Sequence, residues 1–503
     1  MSVIKDWAKR VVGRWLNLVE AQDRSITVRM TSKHEINVMK NRIMYRGDPS
    51  ELDQFFKATA TDEVTAARFW ASSPSKGMRI RKIHSGIPSM IIDVLADIVV
   101  ADLLDVTFKA DTQGIDELEV WEAMAEENRY KKLVTKAIQE VLVTGDGAFK
   151  LSIDTDLSPY PIIEFFGGER VDYKFNRGRV EEIQFLTRYE EKTKTYTLVE
   201  RYGKGYVRYE LLDKSGNEVA LANVPELENL TPVEWEDDYM MAVPLMFYDS
   251  PLFEGRGKPL LDTKTDSIDA LDETISQWQE ALRQGRIKRY IPESMIPRNP
   301  QTGEPLPINP FDNQFTALAD SMREGSESKI VTEQPTIQYQ GYVNTYLNNL
   351  DMCLQGIVSP SSLGIDVKRM DNAEAQREKE KTTLYTRDKI ITTLRQVLPV
   401  LVSSCLHAYA TLHELTIGGD FEVSIDFGEY ANPSFEAQVE TIGKAAVSNI
   451  MSIEAQVEEL WGDTKDDEWI EDEIRRIKAE KGIIELEEPT MVPHGFAEEV
   501  TES

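Results

Sequence analysis

The stretch LLDTKTDSIDALDETISQWQEAL, residues 260–282, places Ile268, Leu271, Ile275, Trp278 and Leu282 at alternating steps of three and four. That is the narrow seam of a helix packed against neighbouring helices, unlike the broader stripe of a helix submerged in a globular core. The other faces carry Asp262, Asp266, Asp269, Asp272, Glu273 and Glu280 against one base, Lys264. The pattern predicts an acidic face left to water or to a partner.

After Arg286 the chain is crowded with Pro292, Pro297, Pro300, Pro305, Pro307 and Pro310, which forbid long helices and central strands. A compact module of turns and short strands is expected through about residue 338. Helical spacing returns in YQGYVNTYLNNLDMCLQGIV, residues 339–358, so two helices flank a small insert. The next stretch, SPSSLGIDVKRMDN, breaks the helical run. The residue before Pro360 is pushed away from helical geometry, Gly364 permits a turn, and a helix restarts at an Asp371 or Asn372 cap. The result is a short polar loop projecting toward something that moves past it. The helix beyond runs to about His413, polar at first and apolar from Ile390, with Pro399 expected to kink or divide it.

Upstream, residues 4–24 read as an amphipathic helix, and 34–57 end in a short helix capped by Asp48 or Ser50, with Arg46-Gly47-Asp48 as the turn before it. Residues 87–108 form the most apolar run, yet Asp93, Asp97, Asp102 and Asp105 make it too charged for a membrane span. Residues 115–143 read as one helix, stopped by Thr144-Gly145-Asp146-Gly147. Short β-like stretches between 149 and 250 predict an antiparallel meander turning at Gly203, Gly205 and Gly216. Downstream, 421–430 is a strand, Asn432-Pro433-Ser434 a turn, and helices follow, one capped by Ser452. The acidic end reads as a mobile tail.

A chain of 503 residues suggests roughly three units. With 41% hydrophobic and 29% charged residues, its bulk folds. The formal charge of −30 argues against a protein that grips nucleic acid by neutralising phosphates. It does not exclude nucleic acid passing by. Cys353 and Cys405 lie in apolar helical stretches and read as buried free thiols, suited to a reducing cytoplasm, and no secretory signal is evident. Enzyme motifs fail on geometry. Gly255-Arg256-Gly257-Lys258-Pro259 lacks the earlier glycine of a phosphate loop and has proline in place of the magnesium-binding hydroxyl, and Gly145-Asp146-Gly147 precedes a strand. The five histidines contain no HExxH pair, and Asp154 and Asp156 lack the glycine and glutamate of a calcium loop. No catalytic residue, cofactor or metal is assigned.

The order of helix, proline-rich insert, helix, polar loop and long helix resembles that of the portal proteins of tailed bacteriophages. The matching pieces are Tyr45-Arg46-Gly47-Asp48, TGDGAFK, SPSSLGIDVKRMDNAEAQREKEK and SFEAQVETIGKAAVSNIMSIEAQVEELWG, and the resemblance covers most of residues 40–482. It implies a predominantly helical α+β fold with wing, stem, clip and crown. Residues 1–258 correspond to a wing region that is β-rich over 149–250, 259–286 to the first stem helix, 287–338 to the clip and 339–358 to the second stem helix. The channel loop is 359–370, a long wing helix and returning strand occupy 371–434, the crown is 435–482 and an acidic tail ends the chain.

The function implied is structural: a dodecameric ring at one capsid vertex of the virion, assembled in the host cytoplasm. Double-stranded DNA passes through it without sequence specificity. The packaging ATPase (terminase), a tail-connector protein, and capsid and scaffold proteins are its partners. Ser362, Gly364, Lys368 and Arg369 would face the DNA, acidic stem faces would keep it centred, and Ile268, Leu271, Ile275, Trp278 and Leu282 would form the oligomer seam. Gly364 is the only glycine of the loop, so a glycine-rich channel loop does not carry over. The competing readings are a metal-dependent nuclease or hydrolase, and another head-completion or scaffold component.

Overall fold

The computed structural model describes residues 34–73, 80–108, 116–191, 194–236, 238–285, 288–292, 298–304, 315–318, 331–333, 336–365, 373–415, 421–428, 435–448, 450–461 and 467–480. The amphipathic stretch at 4–24, the turn at 432–434 and the acidic tail lie outside them. The chain mixes helices with mainly antiparallel sheets and divides into two compact units at Gly428.

The first unit opens with helix α1 (34–46) and α2 (Pro49–Thr59). Asp48 is the cap of α2, accepting from the amides of Ser50 and Glu51, and Leu52 and Phe56 are buried beneath it. Helix α3 (Ile87–Ala101) buries Ile91, Ile92, Leu95, Ala96 and Val99 in the main core. The apolar run does not stay helical to its end. At Asp102, held by Arg387 at 2.7 Å, it turns into strand β1 (Leu103–Phe108).

The expected single helix over 115–143 is two, α4 (Glu117–Glu127) and α5 (Tyr130–Thr144). Asn128 explains the break. Its Nδ2 donates to the carbonyls of Met124 and Pro161, and its Oδ1 accepts from the amide of Ile163, while Arg129 takes a left-handed φ of 50°. A side chain that satisfies three backbone groups on two elements outweighs continued helix.

Helix α5 ends at Gly145, φ 101°, and strand β2 (Asp146–Ser152) begins at once. β2 is the middle of a three-stranded antiparallel sheet between β3 (Ile162–Gly167) and β10 (Ala242–Met246). The expected meander is a separate sheet, running in order through β4 (Val171–Asn176), β5 (Arg179–Glu191), β6 (Lys194–Gly203), β7 (Tyr206–Asp213) and β8 (Glu218–Val219), with β9 (Val233–Glu234) also paired to β7. The two glycine motifs rejected as nucleotide sites meet each other. Gly145 and Gly257 touch backbone to backbone, leaving no room for a Cβ on either. Arg256 grips both oxygens of the fully buried Asp146 at 3.0 and 2.9 Å, and the amide of Gly257 donates to it at 2.7 Å. Burial pushes the Asp146 carboxyl upward, while the Arg256 charge and these bonds hold it down.

Helix α6 (Thr265–Gln284) follows, then a small sheet in which β11 (Lys288–Pro292) lies between β12 (Phe315–Leu318), parallel, and β13 (Val331–Glu333), antiparallel. Pro292 ends the central strand beyond the β13 ladder, which stops at Tyr290, so its missing N–H interrupts no pairing on that side. Helix α7 (Tyr339–Leu354) returns to the core.

Helix α8 (Ala373–Leu412) is continuous through Pro399, which does not divide it. Ile390, Leu394, Leu398, Leu401, Val402, Cys405 and Leu406 form one buried face, and that packing holds the helix across the missing backbone bond. Its segment Lys381–Leu412 is long and apolar enough to cross a bilayer by length and composition, but half of that apolar window is buried in the protein's own core. Strand β14 (Val423–Phe427) closes the unit against β1, pairing Val106 with Ile425.

The second unit contains α9 (Phe435–Val447), α10 (Ile453–Trp461) and α11 (Asp467–Glu480). Ser452 caps α10 through the amide of Ala455, and Lys478 reaches Glu454 at 2.8 Å. The bond from Lys478 is the largest influence holding the Glu454 carboxyl down to about 2.

The Asp146–Arg256 lock yields a first prediction. Arg256→Ala leaves a buried carboxylate without its partner and is expected to cost about 3–5 kcal/mol in urea unfolding. Asp146→Ala combined with it is expected to cost less than the two single changes together. A loss below about 1 kcal/mol for Arg256→Ala would contradict the lock.

Candidate functional site

The features of interest lie along α6, α7 and the segment after α7. The acidic face expected on α6 is largely consumed inside the chain. Asp262 pairs with Lys40 at 3.0 Å and Asp266 with Arg68 at 2.8 Å. Asp269 accepts from the amides of Phe69 and Trp70 at 2.8 and 3.2 Å. Burial pushes its carboxyl above the usual range against those two donors. Asp272 is fully buried and accepts from Trp70 Nε1 at 3.0 Å, His84 Nδ1 at 2.7 Å and the amide of Ser85 at 2.8 Å. Ser276 Oγ takes the amide of Ile83 at 2.9 Å. Only Glu273 and Glu280 keep to partners on their own helix, Gln277 for the first, Arg283 and Gln284 for the second. The idea of acidic stem faces steering DNA is therefore corrected for Asp269 and Asp272. Sequence periodicity missed this because three of the donors to these two acids are backbone amides, which every residue type supplies.

Helices α6 and α7 form an antiparallel pair. Near the core Lys264 Nζ donates to the carbonyls of Met352 and Gln355, both at 2.8 Å, and fixes the end of α7 against the start of α6. Midway, Asn349 Nδ2 donates to Thr274 Oγ1 at 2.9 Å and to the Ala270 carbonyl at 3.2 Å. Farther out Trp278 stacks on Tyr342, centroids 6.3 Å apart, and meets Tyr346 at 6.4 Å.

The five seam residues thus have different surroundings. Ile268 and Leu271 belong to the main core, which corrects the reading of α6 as a helix outside it. Ile275 is half-buried against that core, Trp278 is half-buried between the tyrosines of its own pair, and Leu282 is 44% exposed. Between the outer halves lies an open groove of about 510 Å³, lined by uncharged groups such as Gln277, Gln284, Thr336, Gln338 and Thr345.

The segment after α7 starts as a tethered turn. Residues Pro360–Leu363 make a 3-10 turn, and Gly364 leaves it with φ 69°. The amide of Ser359 donates to Thr383 Oγ1 at 2.9 Å, and the hydroxyls of Ser359 and Ser362 both bond that same oxygen at 2.8 Å. Ser362 is thus bonded to α8, which corrects the picture of a freely projecting loop for 359–362. Lys368, Arg369 and the caps Asp371 and Asn372 lie outside the described residues. The thiols of Cys353 and Cys405 are buried and unbridged. Burial pushes the Cys353 thiol up to about 12 and raises that of Cys405 further.

No family model matches the chain, and no curated protein matches it. Among solved structures, it is similar to a chain in the neck of an empty gene transfer agent (GTA) particle computed with C6 symmetry. That pair shows 12% identity and a TM-score of 0.42 over 78% of this chain and 96% of the other. A chain in the neck of the native GTA particle, computed with C12 symmetry, has 11% identity and a TM-score of 0.42 over 75% and 90%. One in the virion of the native particle has 11% identity and a TM-score of 0.39 over 73% and 87%.

The tether at Thr383 is testable. Thr383→Val leaves the buried Ser359 amide without its acceptor, and a cost of about 1–3 kcal/mol is expected. Amide exchange by mass spectrometry should rise across 359–364 while strand β2 keeps its protection. Unchanged exchange over 359–364 would contradict the tether.

Proposed function

We propose that this chain is the subunit of a portal: a dodecameric ring at one capsid vertex, through which double-stranded DNA enters during packaging and leaves on ejection. The observation that carries the reading is the helix pair. α6 and α7 are rooted in the core through Ile268, Leu271, Leu350, Cys353 and Leu354. They run outward antiparallel to a small three-stranded module, and at that far end Leu282 is 44% and Tyr339 61% exposed. A pair anchored at one end and carrying exposed apolar side chains among uncharged polar ones at the other is completed by neighbours of its own kind, and a ring supplies one on each side.

In this reading the pair is the stem, the β11–β13 module is the clip that docks first the packaging ATPase and later a tail connector, and α9–α11 belong to the crown. The elements before α6, with α8 and β14, form the wing that meets capsid and scaffold proteins. The segment beyond Gly364, with Lys368 and Arg369, faces the DNA. A net charge of −30 per subunit suits a conduit that must release a polyanion. A metal-dependent nuclease would need carboxylates free to ligate. Asp269 and Asp272 have theirs committed to amide and indole donors, and among the described residues no group of three histidines, cysteines or acids could hold a metal ion.

The test separates assembly from folding. Leu282→Asp with Tyr339→Asp adds charge at the exposed end of the pair and leaves the Trp278–Tyr342 stack intact. Sedimentation and negative-stain images should show wild-type rings with an axial hole, and small species of near wild-type melting temperature for the double variant. Full-size rings of the variant would refute the pair as the ring-building surface.

A further inference from the structure

Strands β4 and β5 meet in a two-residue turn, Arg177-Gly178, between the paired Asn176 and Arg179. Both turn residues have positive φ, 51° and 77°, a conformation that glycine takes freely and arginine does not. Arg177 and Arg179 are exposed, and among the described residues neither has an acidic partner. Lys174, farther down the same hairpin, leans on Glu181 at 3.6 Å. The hairpin stands on a firm base. Tyr173 Oη donates to the Gly147 carbonyl at 2.8 Å, and the Phe175 ring covers Gly255, where a Cβ would have no room. Two guanidinium forks are thus presented beside an open pocket of about 670 Å³, which Asn176, Val180 and Glu181 also line.

Helix α4 carries the opposite imbalance. Glu119, Glu122 and Glu126 stand three and four residues apart on its outer face, Glu127 is exposed beside them, and the helix contains no base. Like charges at that spacing repel one another. Among the described residues no ion pair relieves them: the bases that follow on α5, Lys131, Lys132 and Lys136, make none with these acids.

We propose that the β4–β5 hairpin of one subunit docks on the α4 face of the next, with Arg177 and Arg179 gripping Glu119, Glu122 and Glu126. Phe175 and Leu118, 38% and 47% exposed, add an apolar contact beside the charges. Hairpin and helix are different surfaces that form no ion pair within one chain, so their contact between copies is head-to-tail, the kind that closes a ring. The inference rests on the ring reading and adds to it a charge-encoded contact separate from the α6–α7 pair. Subunits with 87 acids against 57 bases repel one another when held together. Arginine–glutamate contacts at each joint offset part of that repulsion and fix which surface meets which.

Sedimentation of wild type and of the Arg177→Glu, Arg179→Glu double variant, at about 0.1 M and about 1 M salt, tests the docking. At the lower salt the variant should need about tenfold more protein to form rings. At the higher salt the difference should fall away, because the Debye length shrinks to about 3 Å. Adding Glu122→Arg and Glu126→Arg to the variant should restore assembly to within about threefold of wild type. All four positions are exposed, so the melting temperatures should stay close to wild type. A double variant that assembles like wild type at both salt concentrations, or one that the charge swap does not rescue, overturns the docking and leaves the ring standing. Variant rings that assemble normally but lose affinity for a DNA duplex would give the arginines to nucleic acid and overturn it as well. Wild-type protein that forms no rings overturns the ring reading and this contact with it.

Discussion

A carboxylate removed from water must have its oxygens met by donors, and the helix pair of this protein depends on one such group. Asp272 binds Trp70, His84 and Ser85 to α6 from the inside. With Asp269 and Ser276 it turns one face of the helix into a landing strip for Phe69, Trp70, Ile83, His84 and Ser85. Once that face is occupied, α6 has one orientation, and Lys264 and Asn349 set α7 against it. The far ends of both helices follow as a lever follows its fulcrum.

The same physics operates at the loop before α6. Asp146, also without exposed surface, joins the start of β2 to the loop before α6 through Arg256 and the amide of Gly257. The loop can come that close only because Gly145 and Gly257 lack side chains. Two buried acids therefore fix where α6 begins and which way it faces.

What could be read from the residues followed from local rules. The seam spacing marked α6, the prolines marked a module of short strands between two helices, and Asp48 and Ser452 stood where caps should be. What could not be read depended on partners distant in the chain. Leu103–Phe108 is a strand because Val423–Phe427 lies beside it, a partner that the apolar run itself does not announce. The break at Asn128 required the carbonyl of Pro161 and the amide of Ile163. Asp269 and Asp272 looked like solvent-facing charges because their donors are mostly main-chain amides some 190 to 200 positions away. Ser362 looked like a loop residue because nothing local points to Thr383. The two glycine motifs touch each other, a contact that has no signature in either one alone.

The central claim is that α6 and α7 stand side by side around an axial hole, rooted by Asp272. A cryo-electron microscopy map of the purified protein tests it directly. The account predicts a closed ring in which every subunit places this pair toward the axis, with Asp269 and Asp272 buried against Phe69, Trp70, His84 and Ser85. A monomer in solution, or a ring with the pair on its outer rim, would contradict it.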